Sequence, residues 1–111
     1  MIKTINMETL NISTVEQFLK DYSPKIKFYT SVEEIERIEI NLGIKDKTID
    51  ELEELRNMVV SYYTELLDTE IIYNENGEFP RRTKKYFVYL ESLKSVTAVI
   101  DNNIYKIMLK L

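Results

Sequence analysis

The chain has 111 residues, 44% hydrophobic and 31% charged, with a net charge of −4, which is the make-up of one ordinary globular domain spanning 1–111. It contains no Cys, His or Trp. Disulfide frameworks, thiolate or imidazole metal centres, and Ser–His or Cys–His catalytic pairs are therefore excluded. With only two Gly and two Pro, the sequence is poor in turn residues for a sandwich or barrel and suits long helices.

Residues 1–12 read as a flexible or extended arm. They lack the continuous apolar run of a signal peptide, and nowhere does an apolar stretch of ~18 residues occur, so no membrane span is expected. The expected location is cytoplasmic. Three helix starts follow, each a Ser or Thr with Glu three residues on, the reciprocal capping arrangement. Ser13 and Glu16 open the first, with Val15, Phe18, Leu19 and Tyr22 on one face and Pro24 as its stop. Residues 25–29 read as an extended connector. Ser31 and Glu34 open the second, with Val32, Ile35, Ile38 and Leu42 inward and Gly43 as a left-handed stop. Thr48 and Glu51 open the third.

In the third helix Leu52, Leu55, Val59, Tyr62, Leu66, Thr69 and Tyr73 alternate by three and four, a heptad seam. The pattern resumes after Pro80 with Tyr86, Leu90, Leu93, Thr97, Ile100, Ile104, Ile107 and Leu111. Two long helices joined by a short loop predict an antiparallel helical hairpin. The expected core is Leu52, Leu55, Val59, Leu66, Leu90, Leu93, Ile100, Ile104 and Ile107. The two short helices then have to close an apolar edge made by Phe87, Val96, Val99 and Met108. Laid end to end they would just cover a hairpin twice their length; stacked at one end they leave an apolar strip, which predicts a homodimer or a partner-bound state. Asn76-Gly77 is a hairpin turn signal, so residues 70–82 read either as a loop or as a small β-hairpin, a wing. The fold class expected is all-α: a small bundle of two short helices packed on a long antiparallel hairpin.

Charge is unevenly placed. Residues 1–79 hold 8 Lys/Arg against 17 Asp/Glu, and residues 80–111 hold 7 against 2. A helix-turn-helix reader of DNA over 33–54 fails unless the basic cluster at 81–85 carries all the electrostatics, because nine acidic residues face three basic ones there and would repel a duplex. The same carboxylates, Glu33, Glu36, Asp50, Glu51, Glu53 and Glu54, form a candidate acidic face for a basic groove on a partner protein. Glu36 with Glu39, or Asp50 with Glu54, stand one turn apart and could share a hard cation, but solvated helix faces are the plainer reading. No phosphate loop can be drawn from Gly43 and Gly77, and no cofactor or metal is expected.

Arg81, Arg82, Lys84 and Lys85, interleaved with Tyr86, Phe87 and Tyr89, could hold phosphates or an acidic partner. Alternatively they pair across the loop with Asp68, Glu70 and Glu75. Tyr63 and Tyr89 fall off the seams and are candidate interface aromatics. By elimination, the expected function is non-catalytic: a small adaptor, regulator or inhibitor that occupies a partner protein. A nucleic-acid-binding regulator using 81–85 comes second and a carboxylate–metal enzyme third.

Overall fold

The computed structural model describes residues 12–22, 31–78 and 80–111, so the arm at 1–11, Pro24 and the connector at 25–29 lie outside the described residues. Among the described residues four α-helices run in order: α1 (Ile12–Asp21), α2 (Val32–Leu42), α3 (Ile49–Thr69) and α4 (Lys84–Leu109). A single 3₁₀ turn, Ile44–Asp46, joins α2 to α3. Two short strands, β1 (Ile71–Ile72) and β2 (Arg81–Arg82), separate α3 from α4. The fold is the expected all-α bundle, with α3 and α4 as an antiparallel hairpin and α1 and α2 packed on it. The molecule is elongated, 56 × 30 × 24 Å.

Local chemistry sets the helix ends. Thr48 and Glu51 complete a reciprocal capping box: Glu51 N–H donates to Thr48 Oγ1 at 3.2 Å, and Thr48 N–H donates to Glu51 Oε1 at 2.9 Å. Ser31 caps α2 by accepting from Glu34 N–H. Gly43 ends α2 at φ 60°, a left-handed conformation that costs an ordinary side chain about 1 kcal/mol or more. The first helix departs from expectation. It already begins at Ile12, which puts Ser13 inside the first turn and not at the cap.

The wing forms, with Ile71 opposite Arg82 and Ile72 opposite Arg81. Its turn chemistry differs from the sequence signal. A two-residue hairpin of the Asn-Gly kind needs left-handed backbone at both central residues. Here no described residue other than glycine has positive φ, and in this loop that is Gly77, at 70°. Asn74 organises the loop instead: its carbonyl accepts from Gly77 N–H at 2.9 Å and its side-chain oxygen accepts from Glu78 N–H at 2.8 Å.

The core comprises Val15 and Leu19 of α1 with Tyr22 just past its end, Ile38 and Leu42 of α2, Ile44, then Leu52, Leu55, Val59 and Tyr63 of α3 and Val96, Val99 and Ile100 of α4. Of the nine residues expected there, Leu52, Leu55, Val59 and Ile100 are buried, while Leu66, Leu90, Leu93, Ile104 and Ile107 are half-buried. The cause is the period. Burial in α3 follows 52-55-59-63 and in α4 92-96-99 with the half-buried Asn103 next. That is three steps in eleven residues, the spacing of a straight helix and not of a heptad supercoil. In α4 the buried stripe takes in Ile100 of the expected seam and otherwise lies one residue, ~100° of arc, to one side of it, at Ser92, Val96 and Val99. Val96 and Val99, expected at an edge, are central because α1 and α2 pack over them, while Phe87 and Met108 stay exposed.

Candidate functional site

The six candidate carboxylates do not form one patch. Glu33 and Glu36 lie exposed on α2; Glu51 is engaged in the capping box; Asp50, Glu53 and Glu54 are exposed on α3. Glu53 and Glu54 diverge. Glu53 lies beside Arg56, Asp101 and Ile104, on the side of the hairpin away from α1, whereas Glu54 faces α1.

On that second side α1 and α3 enclose a groove of about 260 Å³. Its rim carries Glu16, Glu54 and Glu65, and Met58 and Tyr62 line it as half-buried apolar surface. None of the three carboxylates is ion-paired with a described residue. The negative field registers on Tyr62, whose hydroxyl is pushed above the ordinary tyrosine range, first by burial and then by Tyr89, Glu16 and Asp21. Such a groove can take the long apolar stem of a Lys or Arg and meet its charge at the rim. Glu16 and Glu65 were missed from sequence. Glu65 stands eleven residues after Glu54, three turns on along one face, but Glu16 reaches the site only through the docking of α1.

Glu39 answers the cation question for its pair. It is 6% exposed, its Oε2 accepts from Asn103 Nδ2 at 2.9 Å, and its Oε1 lies 3.6 Å from Lys45 Nζ. It is thus a bolt between α2 and α4, and its remaining contact is to a cation, not to the exposed Glu36. Among the described residues no group of three or more Asp or Glu could hold a metal ion. Lys47 is also buried, donating to Gly43 O at 3.2 Å, and burial pulls its ammonium below the ordinary lysine range against the opposing pull of Glu51 and Asp46.

At the wing end, Arg81, Arg82, Lys84 and Lys85 are all exposed. The cross-loop pairing expected with Asp68, Glu70 and Glu75 does not form: no ion pair joins these groups among the described residues. Aromatic rings hold two of the cations instead, Arg82 over Tyr86 at 5.2 Å and Lys85 over Tyr89 at 5.7 Å. Glu70 acts on Lys85 only as the smaller electrostatic influence, after Tyr89, in raising its ammonium above the ordinary range. The strand–helix junction is tied by Thr83, whose N–H donates to Glu70 O at 3.1 Å and whose Oγ1 accepts from Tyr86 N–H at 3.0 Å.

Tyr63 is not an interface residue. It is 1% exposed, packed against Tyr62 and Tyr89, with its hydroxyl held well above the ordinary range by burial. Tyr89 is half-buried beside it. The Tyr63 and Tyr22 hydroxyls are buried without a well-formed hydrogen bond.

What fold and surface define is a small all-α bundle with an acidic groove on one side and, at one end, a wing of four exposed cations among as many carboxylates. Comparison with protein-family models, with curated proteins and with solved structures gives no significant match. Among the described residues no helix is long and apolar enough to cross a membrane.

Proposed function

We propose that this is a non-catalytic cytoplasmic binding protein, an adaptor, regulator or inhibitor that occupies a basic segment of a partner protein. The observation that supports it is the α1–α3 groove, where Glu16, Glu54 and Glu65 stand over Met58 and Tyr62 with no ion pair among the described residues. Apolar bedding with a rim of like charge favours Lys- or Arg-rich peptide and steers its approach. Glu54→Lys with Glu65→Lys should abolish capture of the native partner, and binding of a Lys/Arg-rich helical peptide, without lowering the melting temperature, since both side chains are exposed. Unchanged binding in that variant rejects the groove.

Nucleic-acid binding through Arg81, Arg82, Lys84 and Lys85 has less support. The wing end also carries Asp68, Glu70, Glu75 and Glu78, so its local charge sums to zero and offers little to a polyanion. A mobility shift with single- or double-stranded nucleic acid that weakens steeply with salt would reverse this ranking.

A further inference from the structure

We infer that the α1–α3 groove reads arginine in preference to lysine, seating one guanidinium flat on the Tyr62 ring with its in-plane N–H groups on Glu16 and Glu65. This rests on the groove as the binding site and names the residue it selects in a basic partner. The placement follows from the helix period. Glu54, Met58, Tyr62 and Glu65 succeed one another by steps of four, four and three, so they form one stripe down α3. At ~1.5 Å per residue, Glu65 stands ~4.5 Å beyond Tyr62 along the axis and Glu54 ~12 Å behind it. Glu16 closes the groove from α1, and its field reaches the Tyr62 hydroxyl. The half-buried ring therefore has one carboxylate across the groove and one a turn along it. Glu54, about two turns back, acts on the incoming segment at longer range.

Three observations select a planar cation as the occupant. First, other tyrosine rings already hold a cation from the chain itself: Arg37 over Tyr22 at 5.3 Å, Arg82 over Tyr86 at 5.2 Å and Lys85 over Tyr89 at 5.7 Å. Among the described residues no cation stands over Tyr62, and none pairs with Glu16, Glu54 or Glu65. Ring and counter-charges are in place for a cation that the described residues do not supply. Second, the ring and the carboxylates lie together. A guanidinium stacks its face on an aromatic ring while its edge donates to carboxylates, whereas an ammonium is a compact, strongly hydrated point charge that does not combine the two. Third, the size fits a side chain. The groove holds about 260 Å³, below the ~300–1,000 Å³ of small-molecule pockets, and Met58 beside Tyr62 gives an apolar bed for the stem.

Two alanine-based helical peptides of equal length and charge, one with Arg at every basic position and one with Lys, test this by calorimetric titration into the intact chain. Arg and Lys have similar helix propensity, so peptide folding does not bias the comparison. The Arg peptide should bind about tenfold tighter, and that ratio should hold as salt weakens both. Equal affinities, or a ratio that collapses with salt, refute the arginine reading; the groove itself still stands if Glu54→Lys with Glu65→Lys abolishes binding of both. No binding of either peptide overturns the groove and this inference together. Tyr62→Leu should bring the ratio within about threefold by weakening the Arg peptide alone, and Tyr62→Phe, which keeps the ring, should preserve it. An unchanged ratio in Tyr62→Leu refutes the role of the ring. Glu65→Gln, at an exposed position that leaves the core untouched, should weaken the Arg peptide more than the Lys peptide. Equal weakening there refutes the in-plane contact.

Discussion

Replacing Glu39 with Ala removes the polar bolt between α2 and α4. The carboxylate is 6% exposed, and its bond from Asn103 Nδ2 is 2.9 Å long. A hydrogen bond to a charged group is worth about 1.5–3 kcal/mol net. The contact to Lys45 adds little, because that lysine is 72% exposed and the 3.6 Å pair is screened by water, about 0–1 kcal/mol. Asn103 keeps its second bond, to Val99 O at 2.9 Å, so its amide is not stranded and no further penalty accrues. The expected cost is about 2–3 kcal/mol, or roughly 8–15 °C in melting temperature for a domain of this size. Thermal and urea unfolding followed by circular dichroism measure it. Lys45→Ala should cost less than about 1 kcal/mol. A double-mutant cycle with Asn103→Ala should show a coupling of about 1.5 kcal/mol. A coupling under ~0.5 kcal/mol, or a Lys45→Ala effect as large as Glu39→Ala, would refute the assignment of the buried bond as the tie.

Tyr63→Phe should stabilise the protein by about 1 kcal/mol in urea unfolding, since it deletes a buried hydroxyl with no well-formed hydrogen bond. The raised tyrosines Tyr63 and Tyr22 stay protonated in the fold while the unfolded chain ionises near pH ~10, so stability is level below that pH and falls above it. Tyr63→Phe should flatten that alkaline fall, read from unfolding midpoints as pH is raised. Leu55→Ala, at a fully buried position, should cost ~2–5 kcal/mol, and Leu90→Ala, at a half-buried one, clearly less; equal costs would restore the heptad seam. Thr48→Ala breaks the capping box of α3 and should cost about 1 kcal/mol in thermal unfolding.

Local signals carried far in this chain. The cap at Ser31, the capping box at Thr48 and the stop at Gly43 depend on backbone geometry within a few residues, and they stand in the structure, as do the two long helices of the hairpin; the wing at 70–82, open in sequence between a loop and a β-hairpin, forms through Asn74 and not through an Asn-Gly turn. What tertiary packing decided was the direction each helix face points. In α4, Leu93 and Val96 are both plausible core residues, and an apolar stripe that broad does not say which edge α1 and α2 cover. Docking of α1 and α2 buried Val96 and Val99 and left Leu90 and Leu93 half-open. The same docking turned Tyr63 inward and took Glu39 out of solvent, where Asn103, sixty-four residues away, satisfies it. A trace of this was present in sequence, because Glu39 sits between Ile38 and Leu42 on the inward face of α2. Its partner was not, since a hydrogen bond between distant segments exists only once the helices meet. The groove follows the same rule: Glu54 and Glu65 share a face by helical period, but Glu16 joins them through packing alone.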